Sequence, residues 1–586
     1  MKKIFTLITK KEIFLYACSI ICIVLQVGLE VAIPQKMGQM TNMLQQSDTA
    51  AYDIIRLSVS MFIYSLLALA AAFLTSFFVS RAGAALDRIL RKNVFEKIIS
   101  FSLEEMERFG TSSLIARCTS DITQVQSFIT GGLQLAVESA VTIVWVIICI
   151  AKADFLWTIA TVIAVLIISV SFSVITIVTM PYVKRLQSVK DKLMQISREH
   201  IMGIRTIHAY TAFDFQKERY EKANEEHRAL LLFYDKAMAI FNPGATAVLY
   251  ILSVVIYVLG AYLITGASAA SEKMRLFSDM VEFISYSGML ISAFIYIIMI
   301  ISNLPATLIS AGRIKEVLDT KLSITDGNKD IPADNDKNGE IEFSHVSFKY
   351  PGSKDYVLKD VSFKISKGEN AALIGATGCG KTTLLNLIPR LYDAVEGQVL
   401  VGGINVKDYK VDLLRNIIGY VPQKNFLFAG TIGSNIAYGE NGRFKAALDD
   451  IKRAAYIGQA AEFINKKEGQ YEAMVAQGGA NFSGGQRQRL AISRAICRDP
   501  EIYLFDDSFS ALDYKTDALL RKNLRMRAGG ATMLTVAQRI STVQGADKIM
   551  VLDKGRLVGE GTHAELLAGC KVYREIAQSQ NMTGAE

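Results

Sequence analysis

Six long apolar segments fill the first half of the chain and constrain its fold more than any other feature of the sequence. They cover residues 13–34, 56–80, 133–150, 155–180, 238–266 and 280–304. Each is close to the roughly 20 apolar residues with which an α-helix crosses a lipid bilayer. We therefore predict an N-terminal domain with six membrane-spanning helices.

The composition of the whole chain fits a membrane domain that is followed by a soluble domain. Its 586 residues are enough for two or more domains, 51% of them are apolar, and the mean hydropathy is +0.28. The net charge of +8 can be explained by positive loops on the cytoplasmic side of a membrane. Because no nucleic-acid partner is needed to explain this charge, we expect none. The seven cysteines have the spacing of neither a zinc site nor a disulfide framework, which predicts reduced thiols.

The connections between the apolar segments alternate in length. The short ones are residues 46–53, 152–154 and 267–279, and the long ones, rich in Lys and Arg, are residues 81–130 and 181–236. The positive charge of the long connections places them in the cytoplasm. Within them, residues 84–99 and 187–204 carry apolar side chains at three- and four-residue spacing, which indicates that the membrane helices continue beyond the bilayer.

The N-terminus carries four lysines around the start of the first apolar segment, namely Lys2, Lys3, Lys10 and Lys11. The segment is long enough to span a bilayer and is followed by no evident cleavage site. We therefore interpret it as the first membrane helix and not as a signal peptide, with the N-terminus in the cytoplasm. Six spans return the chain to the same side, and we predict a location in a bacterial cytoplasmic membrane.

A change of composition marks the domain boundary. Residues 320–340 are polar, contain Gly, Pro and Asn, and lack periodicity, which is typical of a linker. From Ile341 onward the sequence alternates between apolar and polar residues, as strands do. The predicted division is a membrane domain over residues 1–319, a linker over 320–340, a second domain over 341–580 and a tail over 581–586.

A phosphate-binding loop follows a short apolar strand in the second domain. Its pattern, G-x-x-x-x-G-K-[ST], is matched by Gly375, Ala376, Thr377, Gly378, Cys379, Gly380, Lys381, Thr382 and Thr383. The glycines let backbone N–H groups face phosphates, Lys381 would reach the β- and γ-phosphates, and the Thr382 hydroxyl would bind Mg²⁺. The strand before the loop and the apolar helix after it argue against a chance glycine turn, so the pattern predicts an ATP site with Mg²⁺.

A second acidic motif supports this prediction. Four apolar residues, 502–505, precede Asp506, which is the pattern of a buried parallel strand that delivers a carboxylate to Mg²⁺. An aspartate at the end of a strand can also be a simple turn former, but the P-loop upstream favours the metal-binding role.

With these motifs the second domain resembles the nucleotide-binding domain of an ABC transporter. The whole chain resembles an ABC exporter half-transporter of type IV, similar to multidrug exporters. This resemblance implies a six-helix α transmembrane domain followed by an α/β P-loop nucleotide-binding domain. It also implies ATP-hydrolysing translocase activity, with Tyr350 stacking on adenine and Gln423 contacting Mg²⁺ and the attacking water.

Further segments carry the same resemblance. Residues 482–486 are similar to the signature sequence of the family, which implies that Ser483, Gly484, Gly485 and Gln486 bind the γ-phosphate of an ATP held by the opposite subunit. Residues 510–513 resemble the loop that crosses between subunits. Residues 109–121 and 210–217 resemble the two coupling regions, although for each of them a solvated amphipathic loop is an equally good interpretation.

Two residues of the candidate catalytic set depart from the family pattern. Asp507 stands where a glutamate usually polarises the attacking water, and the missing methylene withdraws the carboxylate by about 1–1.5 Å. Gln538 stands where a histidine is usual, and glutamine cannot exchange the proton that histidine can. The catalytic set of Asp507, Gln538 and Gln423 is therefore expected to hydrolyse ATP slowly or not at all.

ABC sites form between the P-loop of one subunit and the signature of the other. A weakened P-loop side and an intact signature together favour a heterodimer with a second half-transporter, in which hydrolysis occurs mainly at the partner's site. A homodimer with slow ATPase activity is the alternative.

The predicted function is ATP-driven export of an amphipathic drug, lipid or peptide across the bilayer by alternating access. An exporter-fold importer of a metal chelate and an ATP-gated channel or sensor would have similar sequences. Glu30, Glu138 and Glu282 are candidate polar contacts within the membrane, because a carboxylate in a span is costly and often functional. A face of the sixth segment could line a cavity or could pack against neighbouring helices, and it contains Tyr286, Met289, Ala293 and Tyr296.

Overall fold

The computed structural model describes residues 9–45, 51–151, 155–329, 336–439, 446–510, 512–527 and 530–580. Outside them lie Lys2 and Lys3, part of one short connection (46–50), all of another (152–154), part of the linker (330–335), Ala511 and the predicted tail. The chain forms two compact units. The helical unit comprises Met1–Ile99 and Ser112–Thr320, and the sheet unit comprises Ser100–Thr111 and Lys321–Glu586.

The described part of the helical unit contains six helices that are long and apolar enough to cross a membrane, which confirms the predicted six spans. They are Lys10–Leu44, Ala51–Ile99, Thr111–Ile150, Phe155–Met202, Phe213–Gly266 and Ala270–Asp319. The fifth has 54 residues, which at 1.5 Å per residue is about 80 Å, well beyond the ~30 Å of the hydrocarbon layer. The membrane helices therefore extend far out of the bilayer, as the periodicity of the long connections predicts.

The third span is not one regular α-helix. It consists of Thr111–Cys118, Ser120–Ser127, a π-helical turn at Phe128–Gly132 and Leu133–Ile150. Its cytoplasmic part is fastened to the sixth span, because Arg117 Nη1 lies 2.8 Å from Glu316 Oε2 and Ser310 Oγ donates to Asp121 Oδ1 at 2.8 Å.

The core of the helical unit lies between the first, third, fourth, fifth and sixth spans. Its buried residues include Ile23, Val27, Trp157, Ile256 and Phe283. On the candidate face of the sixth span, Tyr286 is buried in this core, Met289 packs against it, Ala293 is also buried, and Tyr296 is exposed. Tyr286 and Ala293 therefore pack between helices and do not line a cavity.

The sheet unit contains twelve described strands. They are β1 (Ile341–Phe348), β2 (Leu358–Ile365), β3 (Asn370–Ile374), β4 (Glu396–Val401), β5 (Ile404–Asn405), β6 (Ile418–Val421), β7 (Gly430–Thr431), β8 (Met474–Val475), β9 (Ile502–Asp506), β10 (Thr532–Ala537), β11 (Lys548–Asp553) and β12 (Arg556–Gly561). They form a four-stranded sheet in the order β2-β1-β4-β5, a six-stranded sheet in the order β12-β11-β3-β10-β9-β6, and the pair β7-β8.

The six-stranded sheet brings the sequence motifs together. Strand β10 pairs in parallel with β3 on one side and with β9 on the other. The carboxyl ends of these three strands therefore meet at one edge, where ligands bind in open α/β sheets. The P-loop follows β3, Asp506 ends β9, and Gln538 follows β10. All five residues of β9 are buried, as the apolar run predicts.

Helices cover the sheets of this unit. They are Leu103–Phe109, Lys381–Leu387, Val411–Asn416, Ile432–Ile436, Leu448–Ile457, Ala461–Asn465, Gly484–Cys497, Tyr514–Arg527, Ile540–Val543, His563–Gly569 and Lys571–Ser579. The first of them precedes the third membrane span in the sequence, yet it belongs to the sheet unit.

Candidate nucleotide-binding site

The P-loop begins where β3 ends, and its backbone admits only glycine at several positions. A Cβ on Gly375 would lie 2.1 Å from the carbonyl oxygen of Leu552, so no side chain fits there. Gly378 and Gly380 have φ angles of +83° and +106°, which favour glycine. With no side chains in the way, the backbone N–H groups of the loop can line an anion site.

Lys381 is buried at the base of this loop. Its Nζ donates to the carbonyl oxygens of Gly375 at 2.7 Å and of Ala376 at 2.8 Å. Its third donor faces Cys379 Sγ at 3.7 Å, a weak acceptor that a phosphate oxygen could replace. Burial raises the pKa values of Asp506 and Asp507, and the positive charge of Lys381 opposes this rise.

Asp506 and Thr382 form a pair that fits a hard cation. Thr382 Oγ1 donates to Asp506 Oδ1 at 3.1 Å, whereas Asp506 Oδ2 is buried and has no hydrogen-bond partner among the described residues. A buried carboxylate oxygen without a partner is unfavourable, and carboxylate and hydroxyl oxygens are ligands that Mg²⁺ accepts. The effect of burial on the pKa of Asp506 is only partly offset by the hydrogen bond from Thr382.

The two residues that depart from the ABC pattern are in direct contact. Gln538 Nε2 donates to Asp507 Oδ2 at 3.1 Å, although the two residues are 31 positions apart in the sequence. Asp507 has a φ of +48°, and its N–H donates to the carbonyl of Val536 at 3.0 Å. Burial raises the pKa of Asp507, while Lys381 and a hydrogen bond from the side chain of Gln423 oppose that rise.

Tyr350 belongs to an aromatic cluster beside the P-loop. Its hydroxyl lies 2.8 Å from the hydroxyl oxygen of Thr383, and its ring meets those of Phe348 and Tyr392 edge to face, at centroid distances of 5.1 and 5.4 Å. The cluster is large and apolar enough to pack against a purine. Cys379 is buried in the same loop, and burial raises the pKa of its thiol.

The signature residues lie at the start of the helix Gly484–Cys497. The Ser483 hydroxyl accepts a hydrogen bond from the N–H of Gln486 at 3.3 Å, and Gln486 Oε1 accepts one from the N–H of Ser483 at 3.1 Å. This capping box fixes the turn locally. Ser483 and Gly484 are exposed, and Gly485 and Gln486 are half-buried, so the turn is open to a ligand from outside the chain.

The loop after Asp507 is tied to the same strand end. Ser510 Oγ donates to the carbonyl of Asp507 at 2.9 Å, Leu512 is buried, and Asp513 Oδ1 accepts a hydrogen bond from the N–H of Thr516 at 2.9 Å. In this loop the structure describes Ser510, Leu512 and Asp513.

Sequence reasoning missed the segment Ser100–Thr111. Its helix, Leu103–Phe109, is fastened to the sheet unit by two carboxylates. The N–H of Ser323 donates to Glu105 Oε1 at 2.7 Å, and the hydroxyl of Tyr392 donates to Glu107 Oε1 at 2.8 Å. The resemblance placed the first coupling region at residues 109–121, which overlaps this segment only at 109–111. One local signal in the sequence could have indicated the start of this helix, because Ser102 and Glu105 form a capping box.

Models of two protein families match the chain. The model described as the ABC transporter transmembrane region matches residues 16–294, and the model described as ABC transporter matches residues 358–510. The first match includes the greater part of the membrane spans, and the second includes the P-loop, the signature and Asp506.

Bacterial relatives match along most of the chain. An uncharacterised ABC transporter ATP-binding protein of Mycobacterium tuberculosis is 36% identical over 540 residues, which cover 92% of this chain and 91% of the relative. Another, from Bacillus subtilis, is 34% identical over 88% of each chain. An ATP-dependent lipid A-core flippase of Aromatoleum aromaticum is 30% identical over 87% of this chain and 82% of the relative.

A solved structure of a bacterial Atm1-family ABC exporter with ATP bound supports the same fold. It has a TM-score of 0.80 and 24% identity, and the match covers 97% of this chain and 99% of that one. The fold of the solved structure and the sequences of the bacterial relatives both match this chain over most of its length. The protein is a multi-pass integral membrane protein that belongs to the ABC transporters, as a half-transporter of the exporter fold.

Proposed function

We propose that this half-transporter drives the export of an amphipathic compound by alternating access, as one subunit of a heterodimer, and that its own P-loop side hydrolyses ATP poorly. The observation that carries the proposal is the hydrogen bond of 3.1 Å from Gln538 Nε2 to Asp507 Oδ2. It joins the two residues of the candidate catalytic set that depart from the family pattern.

The chemistry of this pair disfavours hydrolysis. Water attack needs a group that accepts or polarises a proton, and the loss of such a group costs roughly 10²–10⁴-fold in rate. The shorter carboxylate of Asp507 is engaged by Gln538 and Gln423. A glutamine amide neither takes up nor releases a proton, so Gln538 cannot compensate.

The remaining residues are suited to hold a nucleotide. Lys381 and the glycine backbone would bind the phosphates, Thr382 and Asp506 would hold Mg²⁺ together with Gln423, and Tyr350 would pack against the adenine. Bound Mg²⁺ would neutralise phosphate charge. The unpartnered Asp506 Oδ2 is the observation that supports a cation at this place.

Two exposed features support a second subunit. The signature turn at Ser483–Gln486 is complete and open, so it can complete the site of a partner. In the helical unit, the turn before the fifth long helix carries Tyr210, and the first turn of that helix carries Phe213 and Phe215; the three are 80%, 64% and 67% exposed. Three exposed aromatic rings close together in the sequence and outside the apolar segments favour a protein contact. These three residues lie in the predicted second coupling region.

The polar groups within the spans support the proposed substrate class. Glu30, in the first span, accepts a hydrogen bond from Gln26 Nε2 at 3.0 Å. A carboxylate at membrane depth could pair with a basic group of an amphipathic substrate. Glu282 instead packs closely against Gly38 of the first span, which is a structural position. The flippases among the relatives, which are named for a lipid, support an amphipathic substrate.

The decisive experiment measures ATPase activity of the purified complex. Asp507→Asn in this subunit is expected to leave most of the turnover, whereas substitution of the corresponding carboxylate in the partner is expected to abolish it. If Asp507→Asn abolishes turnover as fully as the partner's substitution, this site is an active hydrolase and the proposal is wrong. The matched gain-of-function variant is the double substitution Asp507→Glu with Gln538→His, which should raise hydrolysis at this site.

A further inference from the structure

The last described residue of the chain, Gln580, contacts the loop that carries Gln538. Its Oε1 accepts a hydrogen bond from the N–H of Ile540 at 2.8 Å, and its Nε2 donates to the carbonyl oxygen of Gln538 at 2.7 Å. One carboxamide thus binds two peptide groups on either side of Arg539. We name residues 538–540 the switch loop.

The switch loop lacks a cap of its own. The helix Ile540–Val543 has Arg539 at its N-cap position, and the side chain of Arg539 makes no capping hydrogen bond. The first N–H groups of a helix have no partner within the helix and need one from elsewhere. Gln580 supplies this partner for Ile540 from 40 positions further along the chain.

Gln580 extends from a fixed base. It follows the helix Lys571–Ser579, in which Tyr573 and Ala577 are fully buried. Both residues belong to a hydrophobic cluster that also contains Ile540 and Val543 of the short helix after the switch loop. The C-terminal helix and the switch loop therefore pack as one body, and the Gln580 amide sets the position of the loop within it.

These contacts form a continuous path to the nucleotide site. Gln580 holds the carbonyl of Gln538, and the side chain of Gln538 holds Asp507. We propose that Gln580 is a positioning residue, which fixes the switch loop so that Gln538 keeps its contact with Asp507 and closes the site over its nucleotide. This inference deepens the proposed function, because the site concerned is the one that we propose to retain ATP.

The test measures release of the fluorescent analogue mant-ATP from the purified transporter complex. If the complex is a heterodimer, the P-loop lysine of the second subunit is substituted, so that mant-ATP binds only at the P-loop of this chain. We expect Gln580→Ala to release mant-ATP at least about fivefold faster, as the loss of two net hydrogen bonds implies. Gln580→Glu should behave likewise, since a carboxylate accepts from Ile540 but cannot donate to the carbonyl of Gln538.

The control is Gln578→Ala, because Gln578 is an exposed glutamine in the helix Lys571–Ser579 that precedes Gln580. It should leave the release rate unchanged. A thermal melting curve of each variant shows whether the fold is intact. If Gln580→Ala melts at a lower temperature than wild type, the comparison is made with Gln580→Glu, which keeps the size of the side chain. Equal release rates for Gln580→Ala and Gln578→Ala would overturn the proposal.

A double-mutant cycle separates positioning from a general structural effect. On a Gln538→Ala background, Gln580→Ala should add no further acceleration, because the path to Asp507 is already broken. The same acceleration on both backgrounds would contradict the inference. The proposed function is contradicted by a different result, the loss of ATP turnover in Asp507→Asn. Even in that case, the double-mutant cycle measures the coupling between Gln580 and Gln538.

Discussion

Gly375 stands where the P-loop leaves β3, and the space around its α-carbon admits no side chain. The obstacle is a backbone carbonyl oxygen, that of Leu552, which cannot rotate away as a side chain would. Gly375→Ala is therefore expected to displace the loop and weaken ATP binding at least about tenfold, since a shift of order 1 Å in a site is costly. Equilibrium binding of ATP to the purified complex measures this effect.

The control for this prediction is Gly545→Ala. Gly545 has no heavy atom within 4 Å of the added Cβ, and its φ is not positive. ATP affinity should be unchanged in this variant. Normal affinity in Gly375→Ala would show that the loop tolerates displacement and that its geometry does not limit binding.

Glu105 gives a pH-dependent prediction at the same scale. Burial would raise the pKa of its carboxyl, but hydrogen bonds from Ser102 and Ser323 prevail, so its pKa lies below the ordinary value of 4.5. A lowered pKa in the folded state stabilises the fold fully above pH 4.5, and this stabilisation is lost as the pH falls through the folded-state pKa.

Glu105→Gln should therefore melt earlier than wild type between pH 7 and pH 5, and the difference should shrink as the pH falls below about 4.5. Glu104→Gln, on the neighbouring and less buried residue, is the control and should show little difference at any pH. A difference between Glu105→Gln and wild type that stays constant down to a pH of about 3.5 would argue against an ionised Glu105 as the anchor.

Among elements, the helix Leu103–Phe109 is held in part by a hydrogen bond from Tyr392. Tyr392 is almost fully buried and donates its hydroxyl to Glu107. Glu107 is exposed, so water can replace the lost donor, and the bond contributes about 0.5–1.5 kcal/mol. Tyr392→Phe should therefore raise hydrogen–deuterium exchange of residues 103–109 by about two- to tenfold.

Tyr356→Phe is the matched control, because Tyr356 donates a similar bond of 3.0 Å to Glu396 at an exposed site. It should leave the exchange of residues 103–109 unchanged. Equal exchange in wild type and Tyr392→Phe would mean that Glu105 and the apolar contacts hold the helix without Tyr392.

The extent of prediction from the sequence also differs between elements. The membrane spans follow from apolar length alone, and the P-loop from a local spacing, so both could be predicted. The docking of Leu103–Phe109 could not, because Glu105 meets Ser323 across 218 positions and no local pattern encodes that contact. The contact of Gln538 with Asp507 is similar: each residue was singled out separately, and only the order β3-β10-β9 brings them together.

For the whole molecule, the proposed unequal pair of sites predicts unequal products. When the complex turns over Mg²⁺-ATP and is then photolabelled with an azido-ATP analogue, this subunit should retain mainly the triphosphate form and its partner mainly the diphosphate. The variant Asp507→Glu with Gln538→His should shift the label on this subunit toward the diphosphate. Diphosphate on the unsubstituted subunit would contradict the assignment.

The sheet unit is built from two stretches of chain that are separated by most of the membrane helices. Glu107 cannot meet Tyr392 until the intervening chain has been synthesised, since the two residues are 285 positions apart. At the roughly 5–20 residues per second of translation this takes about 15–60 s. During that time the helix Leu103–Phe109 has emerged from the ribosome without its binding surface, so the unit is completed late and depends on correct insertion of the spans that come between.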